Sequence, residues 1–250
     1  MSGCLCLPCY KKAAPKTDSS ADSNQNLKPW TVPFPPPPPP KSGFLLQGMD
    51  PVERLKSGFE KFKTDVYNKK PELFTPLKDG QAPTYMVFSC ADSRCCPSVT
   101  LGLNPGEAFT VRNIASMIGP YDKTKYTGTG SAIEYAVCAL KVKVIVVIGH
   151  SRCGGVKALL SMQDGVPDTF HFVEDWVRIG YPAKKKVQTE CAMLPFDDQC
   201  SVLERGVVNV SLENLKTYPF VKEGLANGTL KLVGGHYDFV NGKFETWETS

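Results

Sequence analysis

Two short segments of the sequence carry side chains suited to binding a metal. Cys90 follows the apolar run Tyr85–Phe88, and His150 and Cys153 follow a second apolar run, Val144–Ile148. A structural zinc site is normally closed by four protein ligands, whereas three ligands with one open position form a catalytic site. Two cysteines and one histidine match the catalytic arrangement. The spacing His-x-x-Cys is a weak signal alone, because a packed cysteine and a hydrogen-bonded histidine give the same pattern.

Asp92 and Arg94 extend the first of these segments. In an extended backbone, Cys90, Asp92 and Arg94 would point to the same side of the chain. A carboxylate there could accept a hydrogen bond from a metal-bound water, and a guanidinium could hold that carboxylate ionised through a bidentate pair. The alternative is a surface ion pair at the end of a strand, which contributes little to stability.

The two apolar runs are predicted to be buried parallel strands, because they are apolar on both faces. A helix is expected between them, since apolar residues recur there at helical spacing. These residues are Ala132, Ile133, Ala136, Val137 and Leu140. A strand, a helix and a strand in this order favour a βαβ crossover in a parallel sheet. Because such sheets bind ligands at the carboxyl ends of their strands, both segments are expected to converge there.

Helices are predicted on either side of this unit. Asp50, Pro51 and Glu53 are typical of a helix start. Apolar residues at helical spacing then predict an amphipathic helix of about five turns. They are Val52, Leu55, Phe59, Phe62 and Val66. Further helices are expected at 155–163, 170–179 and 198–217.

The C-terminal segment is predicted to be a hairpin. His236–Val240 and Lys243–Trp247 flank Asn241-Gly242, which is a favoured two-residue turn. Such a hairpin would form an exposed antiparallel edge that can support self-assembly. The predicted fold class is therefore α/β, with a central, mostly parallel sheet, an antiparallel edge strand and flanking helices.

Composition changes near residue 48, which divides the chain into a tail, 1–48, and a folded domain, 49–250. The tail contains a polar stretch at 13–28 and the unbroken run Pro35–Pro40. Such a segment favours an extended spacer, with an SH3-type ligand as the alternative. Three cysteines near its start could be acylated and contact a membrane. They are Cys4, Cys6 and Cys9.

Charge and composition argue against several classes of protein. The net charge is +4, of which the tail supplies +3, so the folded part lacks the basic surplus of a nucleic-acid-binding domain. The apolar runs are too short to cross a bilayer. Met1–Tyr10 lacks the basic start and apolar stretch of a secretory signal, so the ten cysteines are expected in a reducing compartment. We expect the cytoplasm, with the chloroplast stroma as the alternative.

The combined pattern of Cys90-x-Asp92-x-Arg94 and His150-x-x-Cys153-Gly-Gly resembles the β-class carbonic anhydrases. The likeness to the plant enzymes is close and extends over nearly all of 50–249. Four further segments match the plant pattern: Gly106–Phe109, Val111–Ala115, Gly130–Ala136 and His236–Val240. The resemblance implies reversible hydration of carbon dioxide to bicarbonate and a proton. It implies Zn²⁺ as the cofactor, held by Cys90, His150 and Cys153 with water in the fourth position.

The resemblance also implies roles for other residues. Asp92 and Arg94 match the family's catalytic dyad, and the N–H of Gly154 is placed to bind bicarbonate oxygens. The substrate pocket, part of it expected from a neighbouring subunit, is matched by Gln81, Phe109, Ile114 and Tyr135. The family implies an obligate homodimer, and its plant members commonly form octamers through the C-terminal segment.

Other interpretations and some departures from the family remain. A non-enzymatic zinc-stabilised binding module would need a fourth protein ligand, and a zinc hydrolase of carbonyl sulfide or carbon disulfide shares the scaffold. A Rossmann-like nucleotide enzyme is disfavoured, because no G-x-G-x-x-G follows either strand. Cys95 stands where relatives usually have valine, and Ala139 where many plant relatives have a histidine proposed to pass protons outward. Gly206 falls within a predicted helix, where glycine costs about 1 kcal/mol.

Overall fold

The structure is a computed structural model that describes residues 48–248. The predictions for the tail, which concern its extended spacer and its acylated cysteines, lie outside the described residues apart from Gly48. Over 48–248, no helix combines the length and apolarity needed to cross a lipid bilayer.

A five-stranded sheet in the order β2-β1-β3-β4-β5 forms the centre of the described chain. The strands are β1 (Tyr85–Cys90), β2 (Ala108–Asn113), β3 (Val144–His150), β4 (Lys231–Asp238) and β5 (Lys243–Glu248). The first four run parallel, and β5 pairs antiparallel with β4. This arrangement confirms the predicted fold class. Strand β2 was not predicted, because its alternately exposed residues lack the continuous apolar run of a buried strand.

The two predicted strands, β1 and β3, are neighbours in the interior of the sheet. Met86 and Phe88 of β1 and Ile145 and Val147 of β3 are completely buried in one apolar cluster. Buried parallel strands need apolar side chains on both faces, which explains why these two segments were recognisable from the sequence.

Helices surround the sheet and connect its strands. They are α1 (Pro51–Asp65), α2 (Pro71–Phe74), α3 (Pro97–Thr100), α4 (Thr127–Glu134), α5 (Gly154–Ser161), α6 (Val173–Val177), α7 (Tyr181–Glu190), α8 (Phe196–Leu215) and α9 (Pro219–Ala226). A π-helical turn, Tyr135–Ala139, continues α4. Helices α5, α6 and α8 fall close to the predicted ranges, whereas α7 and α9 were not predicted.

The first helix has a capped start and an uncovered apolar face. The Asp50 carboxylate accepts hydrogen bonds from the N–H groups of Val52 at 2.9 Å and Glu53 at 3.1 Å, as predicted for a helix cap. No residue of α1 is buried, and Leu55 and Phe59 are 73% and 59% exposed. Most of the apolar stripe found in the sequence is therefore uncovered within the described chain, although Phe62 packs against Phe74 of α2 with ring centroids 5.9 Å apart.

The C-terminal hairpin differs from the prediction in two respects. Residues 239–242 form a four-residue connection, since Asp238 pairs with Lys243 across the strands. The Asp238 carboxylate stabilises this turn by accepting hydrogen bonds from the N–H groups of Val240 and Asn241. Strand β4 lies between β3 and β5, so only β5 forms the predicted antiparallel edge.

Candidate metal centre

The three predicted metal ligands meet at the carboxyl end of the sheet. Cys90 is the last residue of β1, His150 is the last residue of the adjacent β3, and Cys153 precedes α5. All three are buried, and their ligand atoms lie within 4.8 Å of one another. The convergence expected from the strand ends is therefore present.

Backbone conformation brings Cys153 back beside His150. Arg152 has a φ of 54°, in the left-handed region that non-glycine residues seldom adopt. This turn ends at Cys153, which is the N-cap residue of α5. Gly155 lets the helix pack closely on the turn at 114–116, since a Cβ there would lie 2.9 Å from Ile114 Cγ2.

The imidazole of His150 has one nitrogen engaged and the other without a partner. Its Nδ1 lies 2.9 Å from the carbonyl oxygen of Ser151 and donates to it, which leaves Nε2 as the nitrogen available to a metal. Nε2 is buried and forms no hydrogen bond. Buried polar atoms are rarely left unpaired, and a metal-binding histidine usually donates its other N–H to an oxygen. With two thiols beside it, this nitrogen fits a thiophilic ion such as Zn²⁺.

The two thiols of the group differ in acidity. A hydrogen bond from Cys153 lowers the pKa of Cys90 to about 4, against the opposing effect of burial and with the help of His150. The pKa of Cys153 is raised, because it donates to Cys90 and is itself buried. Burial lowers the pKa of His150, but the neighbouring sulfur atoms of Cys90 and Cys95 outweigh burial and raise the pKa to about 10. Without a metal, the group therefore holds one thiolate and two protonated partners.

Asp92 and Arg94 form the predicted bidentate pair. Arg94 Nε donates to Asp92 Oδ1 at 2.9 Å, and Arg94 Nη2 donates to Oδ2 at 2.6 Å. Hydrogen bonding with Arg94 lowers the pKa of Asp92 to about 2. The expected extended backbone is wrong, because β1 ends at Cys90 and a turn follows. In that turn, the backbone N–H of Arg94 also donates to Asp92 Oδ1.

Arg112 holds this turn from the neighbouring strand and was not identified from the sequence. Its Nε donates to the carbonyl oxygen of Cys90 at 3.0 Å, and its Nη2 donates to that of Asp92 at 2.6 Å. One guanidinium thus fixes the backbone at the metal ligand Cys90 and at Asp92, two residues further along the chain. The sequence could have indicated this role only if β2 had been predicted, because Arg112 lies opposite Ser89 in the pairing of β2 with β1.

Comparison with known proteins agrees with this geometry. A family model described as carbonic anhydrase matches residues 85–244. The chain is also 50% identical over 201 residues to beta carbonic anhydrase 3 of Arabidopsis thaliana, a match that covers 80% of this chain and 78% of that protein. The chain belongs to the β-carbonic anhydrase family. Carbonic anhydrases interconvert carbon dioxide and bicarbonate, so the activity implied by the sequence resemblance is confirmed.

Solved β-carbonic anhydrases have the same fold. The structure of CcaA matches with a TM-score of 0.72 and 32% identity, over 78% of this chain and 87% of that one. One of two tetrameric enzymes from the ascomycete Sordaria macrospora matches with a TM-score of 0.71 and 28% identity, over 80% of this chain and 98% of that one.

Two residues predicted for the carbonic anhydrase pocket lie next to the metal ligands. Gly154 follows Cys153 and begins α5, where backbone N–H groups have no acceptor within the helix. Ile114 packs against Gly155, and its carbonyl oxygen accepts a hydrogen bond from Trp176 Nε1 at 2.9 Å. The side chain of Ile114 is 40% exposed, so it can form a wall of an open site.

The other predicted pocket residues lie away from this chain's own metal ligands. Phe109 and Tyr135 pack together with ring centroids 5.7 Å apart. Phe109 lies opposite Met86 of β1. Met86 is four residues before Cys90, which corresponds to about 13 Å along the strand. Gln81 is exposed and precedes β1, which begins at Tyr85. The single chain thus does not bring these three residues to its own metal group.

Proposed function

We propose that this carbonic anhydrase hydrates carbon dioxide with one Zn²⁺ ion held by Cys90, His150 and Cys153. The observation that carries the proposal is the buried, partnerless Nε2 of His150 beside two thiols. Zinc, when bound, supplies a hydroxide nucleophile near neutral pH by lowering the pKa of a water ligand to roughly 7. The group contains three ligands within residues 48–248, which favours an open catalytic site over a closed structural one.

Asp92 acts as a hydrogen-bond acceptor for the reacting water. Because Arg94 holds the pKa of Asp92 at about 2, the carboxylate is ionised throughout the neutral range and does not donate a proton. Its bidentate pairing fixes the direction in which it accepts. Arg112 keeps this carboxylate at a constant distance from Cys90 by binding both carbonyl oxygens.

The substrate needs an apolar surface and the product needs hydrogen-bond donors. Ile114 provides apolar surface for carbon dioxide, and the N–H of Gly154 donates to an oxygen of bicarbonate. The proton released leaves through water or buffer, or through the Tyr135 that a second copy of the chain supplies, because Ala139 offers no group to carry it. Tyr135 is 51% exposed and therefore in contact with solvent.

We propose that a second copy of the chain completes the pocket with its Gln81, Phe109 and Tyr135. The separation of these residues from the metal ligands of their own chain supports a shared site. The uncovered apolar face of α1 supports a dimer, because such a face needs burial against another surface. The Sordaria macrospora relative is tetrameric. Further assembly, up to the octamer expected from the sequence, would use the free edge of β5.

Stopped-flow measurement of carbon dioxide hydration, with metal analysis of the same samples, tests the proposed function. The expected result is hydration with about one zinc per chain and loss of both in Cys153→Ser. Cys138→Ser is the matched control, because Cys138 is exposed and outside the metal group. Full zinc content in Cys153→Ser, or loss in the control alone, would contradict the ligand assignment.

A further inference from the structure

The turn between β4 and β5 places one aromatic ring against both parts of the active site. The ring of Phe239 stacks on that of His150, with centroids 6.0 Å apart and an interplanar angle of 28°. The guanidinium carbon of Arg94 lies 4.3 Å from the centre of the same ring. Phe239 therefore contacts a metal ligand and the cation of the dyad, although it lies in the C-terminal hairpin.

Hydrogen bonds fix the backbone that carries this ring to the residue that follows His150. The backbone N–H of Phe239 donates to Ser151 Oγ at 3.1 Å, and the N–H of Ser151 donates to the Tyr237 carbonyl oxygen at 3.0 Å. The carbonyl oxygen of Ser151 accepts from His150 Nδ1. The turn that carries Phe239 is stabilised by the Asp238 carboxylate. The ring is thus fixed to the same backbone segment that orients His150.

Arg94 is paired with Asp92 at a position that is open to solvent. Its bonds to Asp92 lie in the plane of the guanidinium, so they do not occupy the faces of that plane. The side chain is 50% exposed, so water competes for it. A cation held over the face of an aromatic ring is attracted by the ring's quadrupole. Phe239 therefore provides a second contact to Arg94 in addition to its bidentate pair with Asp92.

We propose that Phe239 is a positioning residue that keeps Arg94 paired with Asp92 during the reaction. The proposal rests on the proposed function for its effect on rate, but the contact itself does not depend on activity. It also makes the C-terminal hairpin part of the active site.

Replacement of the ring is the first test. Phe239→Leu keeps an apolar side chain but removes the ring, and is expected to lower kcat/KM for hydration by about 2- to 30-fold with zinc content unchanged. Phe239→Tyr keeps the ring face and is expected to retain activity within about 2-fold. Phe244→Leu is the matched control, because Phe244 belongs to the same hairpin and faces Gly235 instead of the metal group.

A fluorination series separates the electronic contact from packing. Fluoro-, difluoro- and trifluorophenylalanine, introduced at position 239 by nonsense suppression, weaken the quadrupole with little change in ring size. We expect log(kcat/KM) to fall stepwise along the series. This readout applies even if Phe239→Leu fails to fold, and a purely structural role for the ring would leave the series flat.

Labelling with phenylglyoxal measures the shielding of Arg94 without using carbon dioxide. In Phe239→Leu and in the trifluoro variant, modification of Arg94 is expected to accelerate. Arg178 is the internal control, because it forms a bidentate pair with Asp168 and its side chain is 41% exposed. An unchanged rate at Arg94, or a raised rate with unchanged kcat/KM, would overturn the proposal. Failure of the proposed function would appear instead as an inactive wild type in which Arg94 is still shielded.

Discussion

Arg112 offers a sharp test of how the active-site turn is held. In Arg112→Ala, the carbonyl oxygens of Cys90 and Asp92 lose a charged donor at 3.0 and 2.6 Å. Water can replace the donor at Asp92, because that hydrogen bond is exposed, but less readily at the partly buried carbonyl of Cys90. One lost bond from a charged donor at a partly buried acceptor costs about 1–3 kcal/mol of unfolding free energy. For a domain of this size, that lowers Tm by about 2–12 °C.

The same substitution should also reduce turnover. Displacement of Asp92 by about 1 Å can cost on the order of 100-fold in rate, so we expect kcat to fall by about 10- to 100-fold. Calorimetry, metal analysis and stopped-flow hydration measure the three effects. Arg112→Lys can keep a charged donor at the carbonyl oxygen of Cys90 but not at both oxygens, so it should lose less stability than Arg112→Ala.

Thr110→Ala is the matched control for Arg112, because Thr110 is exposed on the same face of β2 and takes no part in the site. It should leave Tm and turnover close to their wild-type values. If Arg112→Ala matched wild type in both Tm and kcat, the turn would be held by other contacts, and the role assigned to Arg112 would be wrong.

Three further predictions follow from the site. Asp92→Asn should keep zinc by metal analysis but lower kcat by about 10- to 1000-fold, because a weaker acceptor replaces the carboxylate. Gly155→Ala should lower the unfolding free energy by about 1–3 kcal/mol in denaturant titrations, because the added methyl would lie 2.9 Å from Ile114 Cγ2. Zinc affinity should rise by about 100-fold per pH unit between about pH 5 and pH 7, since binding displaces one proton each from Cys153 and His150. Competitive chelator titrations measure this slope.

Different results would contradict these three predictions. Wild-type turnover in Asp92→Asn would mean that Asp92 and Arg94 form only a surface ion pair with no part in the reaction. Unchanged stability in Gly155→Ala would mean that the turn at 114–116 can move away from α5 without cost. The affinity slope has a positive sign because protons compete with the metal for both ligands, so an affinity independent of pH would show that the metal-free group holds neither proton.

The sequence predicts those parts of the molecule that depend on buried apolar runs and on ligand chemistry. Strands β1 and β3 are continuous apolar segments, and the three ligands follow them at the expected strand ends. Strand β2 escapes prediction because Thr110 and Arg112 alternate with half-buried residues. The interior position of β4 escapes as well, because Gly234, Gly235 and His236 interrupt the apolar pattern in the middle of the strand.

Other features depend on contacts that are distant in sequence. Arg112 and Phe239 act on the site from neighbouring strands, so only the register of the sheet shows their roles. Gly206 appeared to be a cost within a helix, yet a Cβ there would lie 3.1 Å from Ala183 Cβ, so the glycine allows α7 and α8 to pack closely. The turn that pairs Asp92 with Arg94 follows from local hydrogen bonds that the alternating pattern did not predict.

X-ray absorption at the zinc edge tests the metal centre most directly. We expect two sulfur atoms at about 2.3 Å and two nitrogen or oxygen atoms at about 2.0–2.1 Å, which correspond to Cys90, Cys153, His150 and one solvent oxygen. Cys95 is buried close to His150 and is the cysteine that could add a third sulfur. A shell with three sulfur atoms would mean that Cys95 closes the site, and it would contradict the open catalytic position on which the proposed hydration depends.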